Sequence, residues 1–313
     1  VLWSRFPLLG SPRPPFASLT LAPEFFTSFK TCKSAVPYGH TAPIPKPIKK
    51  ETTMRLIFIR HGDPDYKNDD VTEKGKREVE LLTNRVTKWD ITKICCSPLG
   101  RAQATAKPSI QILKNIQVET YPWLQEFYYY QNGKKTGVCW DFLPEFYTSQ
   151  KKFFNKDKWY KSSHMKKGDV HNNYKKVCNG IDSLLAEYGY IRNKKGFYTV
   201  QNQKLNPNFD PNNKIEKYQL VSEKHLKEDT TLVFFCHLGV MFTIIGHLTG
   251  VSPVQLWQGF YVAPTSVTVL NTEERLPEQA YFRVERLGDT NHLTNGGEPI
   301  SSSGYFTDLL SEI

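Results

Sequence analysis

The chain has 313 residues, 39% of them hydrophobic, and a formal net charge of +10. That length buries a sizeable core, and no uninterrupted apolar run is long enough to span a bilayer, which excludes a membrane-spanning reading. Residues 1–53 supply half of the basic excess, with seven Lys/Arg against two Asp/Glu, and later lysines fall in scattered doublets such as Lys151 with Lys152. Such doublets read as solvated surface charge rather than a nucleic-acid face. The six cysteines (32, 95, 96, 139, 178 and 236) show no metal-ligand spacing and read as reduced core thiols of a cytoplasmic protein.

Nine prolines interrupt residues 1–53, so no stable fold is expected there. This extension reads as upstream sequence ahead of a natural start at Met54, in preference to an acidic-poor transit peptide. From Met54 the pattern changes. A β-rich run over 55–60 precedes a turn and a helix from 72 to about 89, with Thr72 and Glu73 suited to its first turn. A strand over 91–97, a helix carrying Ala102, Ala104 and Ala106, and a strand near 117–124 complete a βαβαβ order. Residues 128–228 break the rhythm with clustered aromatics, lysines and Asn-rich turns, and read as an insertion. Within it 170–188 has helical spacing through Tyr174, Val177, Ile181, Leu184 and Leu185, and 202–213 reads as loop. The rhythm resumes with a strand over 231–236, a helix over about 239–248 and closing strands over 266–271 and 281–286. The last stretch, 290–313, reads as a flexible tail.

The fold class this predicts is α/β, a three-layer sandwich whose mostly parallel central sheet is flanked by helices, with an inserted cap-like region. Residues 54–289 form the domain. The aromatic stretch fits a cap over a site and an ordinary core equally well.

Arg60-His61-Gly62 sits where the first strand ends, the place where α/β sheets gather ligands. Ser97-Pro98-Leu99-Gly100-Arg101-Ala102 follows the second strand. Taken with Thr72-Glu73-Lys74-Gly75, these motifs resemble the histidine phosphatase (phosphoglycerate mutase-like) superfamily over roughly 54–126 and 230–289. The resemblance implies a phosphate pocket with His61 as nucleophile, Arg60 and Arg101 as phosphate ligands, Glu126 as acidic proton donor and His237 as a second phosphate-binding histidine.

The chemistry suits those residue types. A phosphate monoester carries nearly two negative charges and repels an anionic nucleophile, whereas a neutral imidazole avoids that repulsion. Guanidinium forks bind non-bridging oxygens in pairs. Glu126, chosen over Glu119 and Glu145, needs a raised pKa, which Trp123, Phe127 and Tyr128 are placed to supply by desolvation. The Gly usual after the second histidine is replaced by Leu238 followed by Gly239, which leaves the backbone donor there open. His164, His171, His225, His247 and His292 read as surface or structural.

The expected function is phosphomonoester hydrolysis through phosphohistidine on small phosphorylated metabolites, with no metal or cofactor. The alternatives are a 2,3-bisphosphoglycerate-dependent phosphoglycerate mutase and a catalytically silent phosphate-binding module. Asp63-Pro64-Asp65-Tyr66 after the first motif departs from the mutase pattern. The physiological substrate and the oligomeric state are not legible.

Overall fold

The computed structural model describes residues 54–132, 134–200, 230–276 and 279–305. The extension 1–53 and the 202–213 loop lie outside them.

In chain order the first elements are β1 (Met54–Arg60), β2 (Pro64–Asp65), β3 (Asp70–Val71), α1 (Glu73–Val86), β4 (Lys93–Cys96), α2 (Gly100–Ile112) and β5 (Gln117–Thr120). A hairpin follows, β6 (Tyr128–Gln131) and β7 (Lys134–Val138), then α3 (Pro144–Ser149), α4 (Ser163–Lys166), α5 (Val170–Glu187), β8 (Tyr190–Arg192) and β9 (Tyr198–Val200). The last group is β10 (Thr230–Cys236), α6 (Leu238–Thr249), α7 (Pro253–Gly259), β11 (Val267–Leu276), β12 (Gln279–Asp289) and α8 (Asn291–Gly296).

Side chains alternate along β1, and both of its faces are apolar, so it needs cover on both sides. Ile57 and Ile59 pack with Val233, Phe235, Leu82 and Val86 of α1 and Ala106 of α2. Leu56 and Phe58 face the opposite way, into a core with Leu232, Phe234, Ile181 of α5, Val240 of α6 and Trp257 of α7. The result is the helix-flanked α/β sheet that the sequence predicts.

The eight-stranded sheet has the order β5-β4-β10-β1-β11-β12-β9-β8. Its first four strands are mutually parallel, and from β11 onward each strand runs antiparallel to its neighbour. The parallel sheet therefore fills one half. The other half turns antiparallel because the few residues joining β11 to β12 are too short for a crossover. These two strands extend well beyond the predicted 266–271 and 281–286, and the strand predicted near 117–124 stops at Thr120 and gives way to a 3-10 turn over Pro122–Leu124.

Residues 128–200 are woven into the main body. Tyr198 of β9 pairs with Ala280 of β12, which adds β8 and β9 to the central sheet. The aromatic stretch is mostly core: Trp140 and Trp159 pack on Trp257 at centroid distances of 5.5 and 5.4 Å, and Phe142 stacks on Phe153 at 5.2 Å. Residues 290–305 also depart from expectation. Asn291–Gly296 is helical with Leu293 fully buried, and Glu298 is paired with Lys74 and Arg77 of α1. Among the described residues no helix is long and apolar enough to cross a membrane.

Candidate active site

His61 follows the last residue of β1, and His237 follows the last residue of β10. These strands pair in parallel with Arg60 opposite Cys236, so both imidazoles leave the sheet at one carboxyl end. Their ring centroids are 5.1 Å apart and both rings are buried. His61 Nδ1 lies 2.8 Å from the Gly62 carbonyl oxygen. A carbonyl only accepts, so Nδ1 carries the proton and the lone pair sits on Nε2. His237 Nε2 pairs with Ser97 Oγ at 2.7 Å, while its Nδ1 is buried without a protein partner. Burial pushes the pKa of both rings well below the ordinary value; Arg60 and Arg101 add to it for His61, and His61 then Arg101 for His237. Both are neutral at physiological pH.

The two arginines are held from behind. Arg60 Nη1 donates to Val262 O at 2.7 Å and Nη2 to Ser303 O at 2.8 Å. Arg101 Nη1 donates to Asp69 Oδ1 at 2.5 Å and Nη2 to the Tyr128 hydroxyl at 3.3 Å. The terminal nitrogens expected to grip oxygens in pairs are thus engaged by protein, because a buried guanidinium needs several acceptors. In each arginine the donor left buried without a protein partner is Nε.

Glu126 Oε1 accepts from Phe127 N at 2.7 Å and from Val240 N, in the first turn of α6, at 3.2 Å. This resolves the displaced glycine. A Cβ on Gly239 would lie 2.2 Å from the Trp140 ring and 2.7 Å from Glu126 Oε1, so only glycine lets the carboxylate dock there. Burial raises the Glu126 pKa, opposed by the Phe127 amide and by Arg101 and Arg60. The other two acids are elsewhere. Glu119 is exposed on the edge strand β5, paired with Lys93 at 2.7 Å, and Glu145 is exposed in α3.

Several supporting residues escaped the sequence reading. Thr105 Oγ1 accepts from Gly62 N at 2.9 Å and donates to Arg101 O at 2.7 Å, which ties the two motifs together. It lies one helical turn after Arg101 on α2, so its spacing was a usable signal. Asp69 accepts from Gly100 N at 2.7 Å besides holding Arg101, and passes so close that a Cβ on Gly100 would meet Asp69 O at 2.1 Å. Lys135 Nζ lies 3.4 Å from the centroid of the Tyr128 ring, which brings another cation near Arg101. The expected loose tail closes the Arg60 side: Ser301 Oγ donates to Asp63 Oδ1 at 2.5 Å, and Tyr261 OH to Ser301 O at 2.8 Å. Among the described residues no cluster of three or more His, Cys, Asp or Glu is placed to hold a metal ion.

Residues 56–189 match the family model described as Histidine phosphatase superfamily (branch 1). Over that stretch the chain is similar to the histidine phosphatase superfamily. The matched stretch takes in residues 128–189, the first part of the aromatic region. It ends before His237, whose place beside His61 is known from the structure. Similar solved structures include a phosphoserine phosphatase from Entamoeba histolytica, at 17% identity over 77% of this chain and 99% of that one, TM-score 0.47. Others are the alpha-ribazole phosphatase from Shigella flexneri, at 19% over 76% and 97%, TM-score 0.45, and a mycobacterial glucosyl-3-phosphoglycerate phosphatase, at 13% over 75% and 98%, TM-score 0.47. None of these likenesses bears on which phosphate ester this chain takes. A sequence search of curated proteins gave no match.

Proposed function

We propose that this chain is a phosphomonoester hydrolase that works through a phosphohistidine on His61. The observation that carries the reading is the grouping at one sheet end of a neutral imidazole with its lone pair on Nε2 and three buried donors without protein partners, Arg60 Nε, Arg101 Nε and His237 Nδ1. His61 Nε2 attacks phosphorus as the ester P–O bond breaks, and Glu126 gives its proton to the departing alkoxide. The positive charge that develops on the His61 ring is met by the Gly62 carbonyl at Nδ1. Glu126, now a carboxylate, takes a proton from water as that water attacks the phosphohistidine, the P–N bond breaks, and phosphate leaves. A pKa raised by burial suits an acid that must start protonated.

His237 supports this role when Ser97 Oγ–H donates to its Nε2, since Nδ1 then carries a proton toward the phosphoryl group. Lys135 and Tyr128 favour a small anionic metabolite as substrate. The free, buried thiols of Cys95, Cys96, Cys139, Cys178 and Cys236 support the cytoplasmic placement. The test is release of p-nitrophenol from p-nitrophenyl phosphate without added metal: wild type turns over and His61→Ala does not. Equal rates defeat the proposal. Rapid conversion of 3-phosphoglycerate in the presence of catalytic 2,3-bisphosphoglycerate would instead assign the phosphoryl group to a bound acceptor.

A further inference from the structure

Thr265, just ahead of β11, is fully buried with φ +56, the left-handed region that a β-branched side chain avoids. Its amide N–H reaches two carbonyls at once, Arg60 O at 3.0 Å and His61 O at 3.2 Å. Those are the backbone oxygens of the arginine and histidine of the first motif. A conformation of this kind persists only where its surroundings over-determine it, and such positions cluster at functional sites.

The surroundings come from α8. Thr265 Oγ1 donates to Pro264 O at 2.8 Å, so its proton is committed and the oxygen accepts from His292 Nε2 at 3.2 Å. With the ring proton on Nε2, His292 Nδ1 accepts from Arg85 Nη1 at 3.4 Å. Arg85 is itself fixed by Asp289, Nη1 to Oδ1 at 3.2 Å and Nη2 to Oδ2 at 2.9 Å. Arg85 thus donates both to Asp289 and to His292 Nδ1, His292 Nε2 donates to Thr265 Oγ1, and the Thr265 amide donates to the two carbonyls of the segment that carries His61.

We propose that Thr265 and His292 are positioning residues that hold the Arg60–His61 backbone so that the His61 ring meets phosphorus in line. This rests on the reading of His61 as nucleophile. Neither residue touches the phosphoryl group; they act through the two carbonyls. Thr265 supplies the strained amide, and His292, from a segment that the sequence marks as tail, keeps the strained conformation in place.

Three variants separate positioning from simple support. Thr265→Gly relieves the backbone strain and removes the hydroxyl, Thr265→Ser keeps the hydroxyl, and His292→Leu removes the donor. The measurements are Tm, kcat and KM with p-nitrophenyl phosphate, and the single-turnover rate of His61 phosphorylation. Thr265→Gly is expected to melt no lower than wild type yet to lose about tenfold or more in kcat and in the phosphorylation rate, the scale that small misplacements of reacting groups cost, with KM changed far less. Thr265→Ser restores the rate. Thr265→Gly combined with His292→Leu is no slower than the slower single variant, because both break one chain. Wild-type phosphorylation rates in both single variants, or fully additive losses in the double variant, overturn the proposal. If wild type forms no phosphohistidine, the nucleophile reading falls first and takes this inference with it.

Discussion

Glu78 on α1 has a side chain with no solvent exposure, and its Oε2 accepts from the amide of Asp63 at 2.9 Å, two residues beyond His61. Burial raises its pKa from the ordinary 4.5 to about 7, against the pull of the Asp63 amide and of Lys74, whose Nζ stands 3.6 Å away. The folded protein thus binds this proton more tightly than the unfolded chain does. The contribution of Glu78 to stability is full below pH 4.5 and is lost as the pH rises through about 7. At about 1.4 kcal/mol per pKa unit the loss amounts to about 3 kcal/mol. Glu78→Gln keeps an oxygen for the Asp63 amide and removes the titration. Urea unfolding should show the variant gaining stability relative to wild type by about 3 kcal/mol between pH 4.5 and about pH 8. Parallel stability profiles for the two proteins across that range would refute the argument.

On the proposed mechanism Glu126→Gln removes the proton donor, so the single-turnover rate at which an alkyl phosphate phosphorylates His61 should fall by about 100-fold or more, and the rate with p-nitrophenyl phosphate, whose leaving group needs no proton, far less. Because the acid form is the active one, wild-type alkyl phosphate hydrolysis declines as pH rises through the raised Glu126 pKa, and steady-state pH profiles should show that limb missing in Glu126→Gln. Asp69→Ala frees Arg101 from its anchor and puts a β-carbon at φ +51 without the side chain that tolerates it; kcat/KM should drop about tenfold, while Asp69→Asn recovers most of the loss.

The parts of the site that were legible in the sequence are those where chemistry and local structure share one short segment. An apolar strand that stops at Arg60-His61-Gly62, or at the serine of Ser97-Pro98, announces both a sheet end and its polar cargo. His237 was legible for the same reason. Contacts that join distant segments were not. Asp69 is one of four aspartates between β1 and α1, and nothing in the sequence around Thr265 marks a left-handed backbone. Residues 290–305 looked loose because they are rich in Gly and Ser. What fixes them is the pairing of Glu298 with Lys74 and Arg77, together with main-chain carbonyls offered to Arg60 and Lys74, and composition does not encode either. The aromatic run over 128–160 read as an insertion because Trp257, on which Trp140 and Trp159 pack, lies about a hundred residues downstream.

The nucleophile is the claim on which the rest depends. Mass spectrometry of wild-type protein, quenched in alkali during turnover of a phosphate monoester and digested, tests it directly. The account predicts a phosphoryl adduct on the peptide that contains His61, absent in His61→Ala and accumulating in Glu126→Gln, where water is no longer activated. An adduct on any other residue, or turnover with no adduct under conditions that trap phosphohistidine, would contradict it.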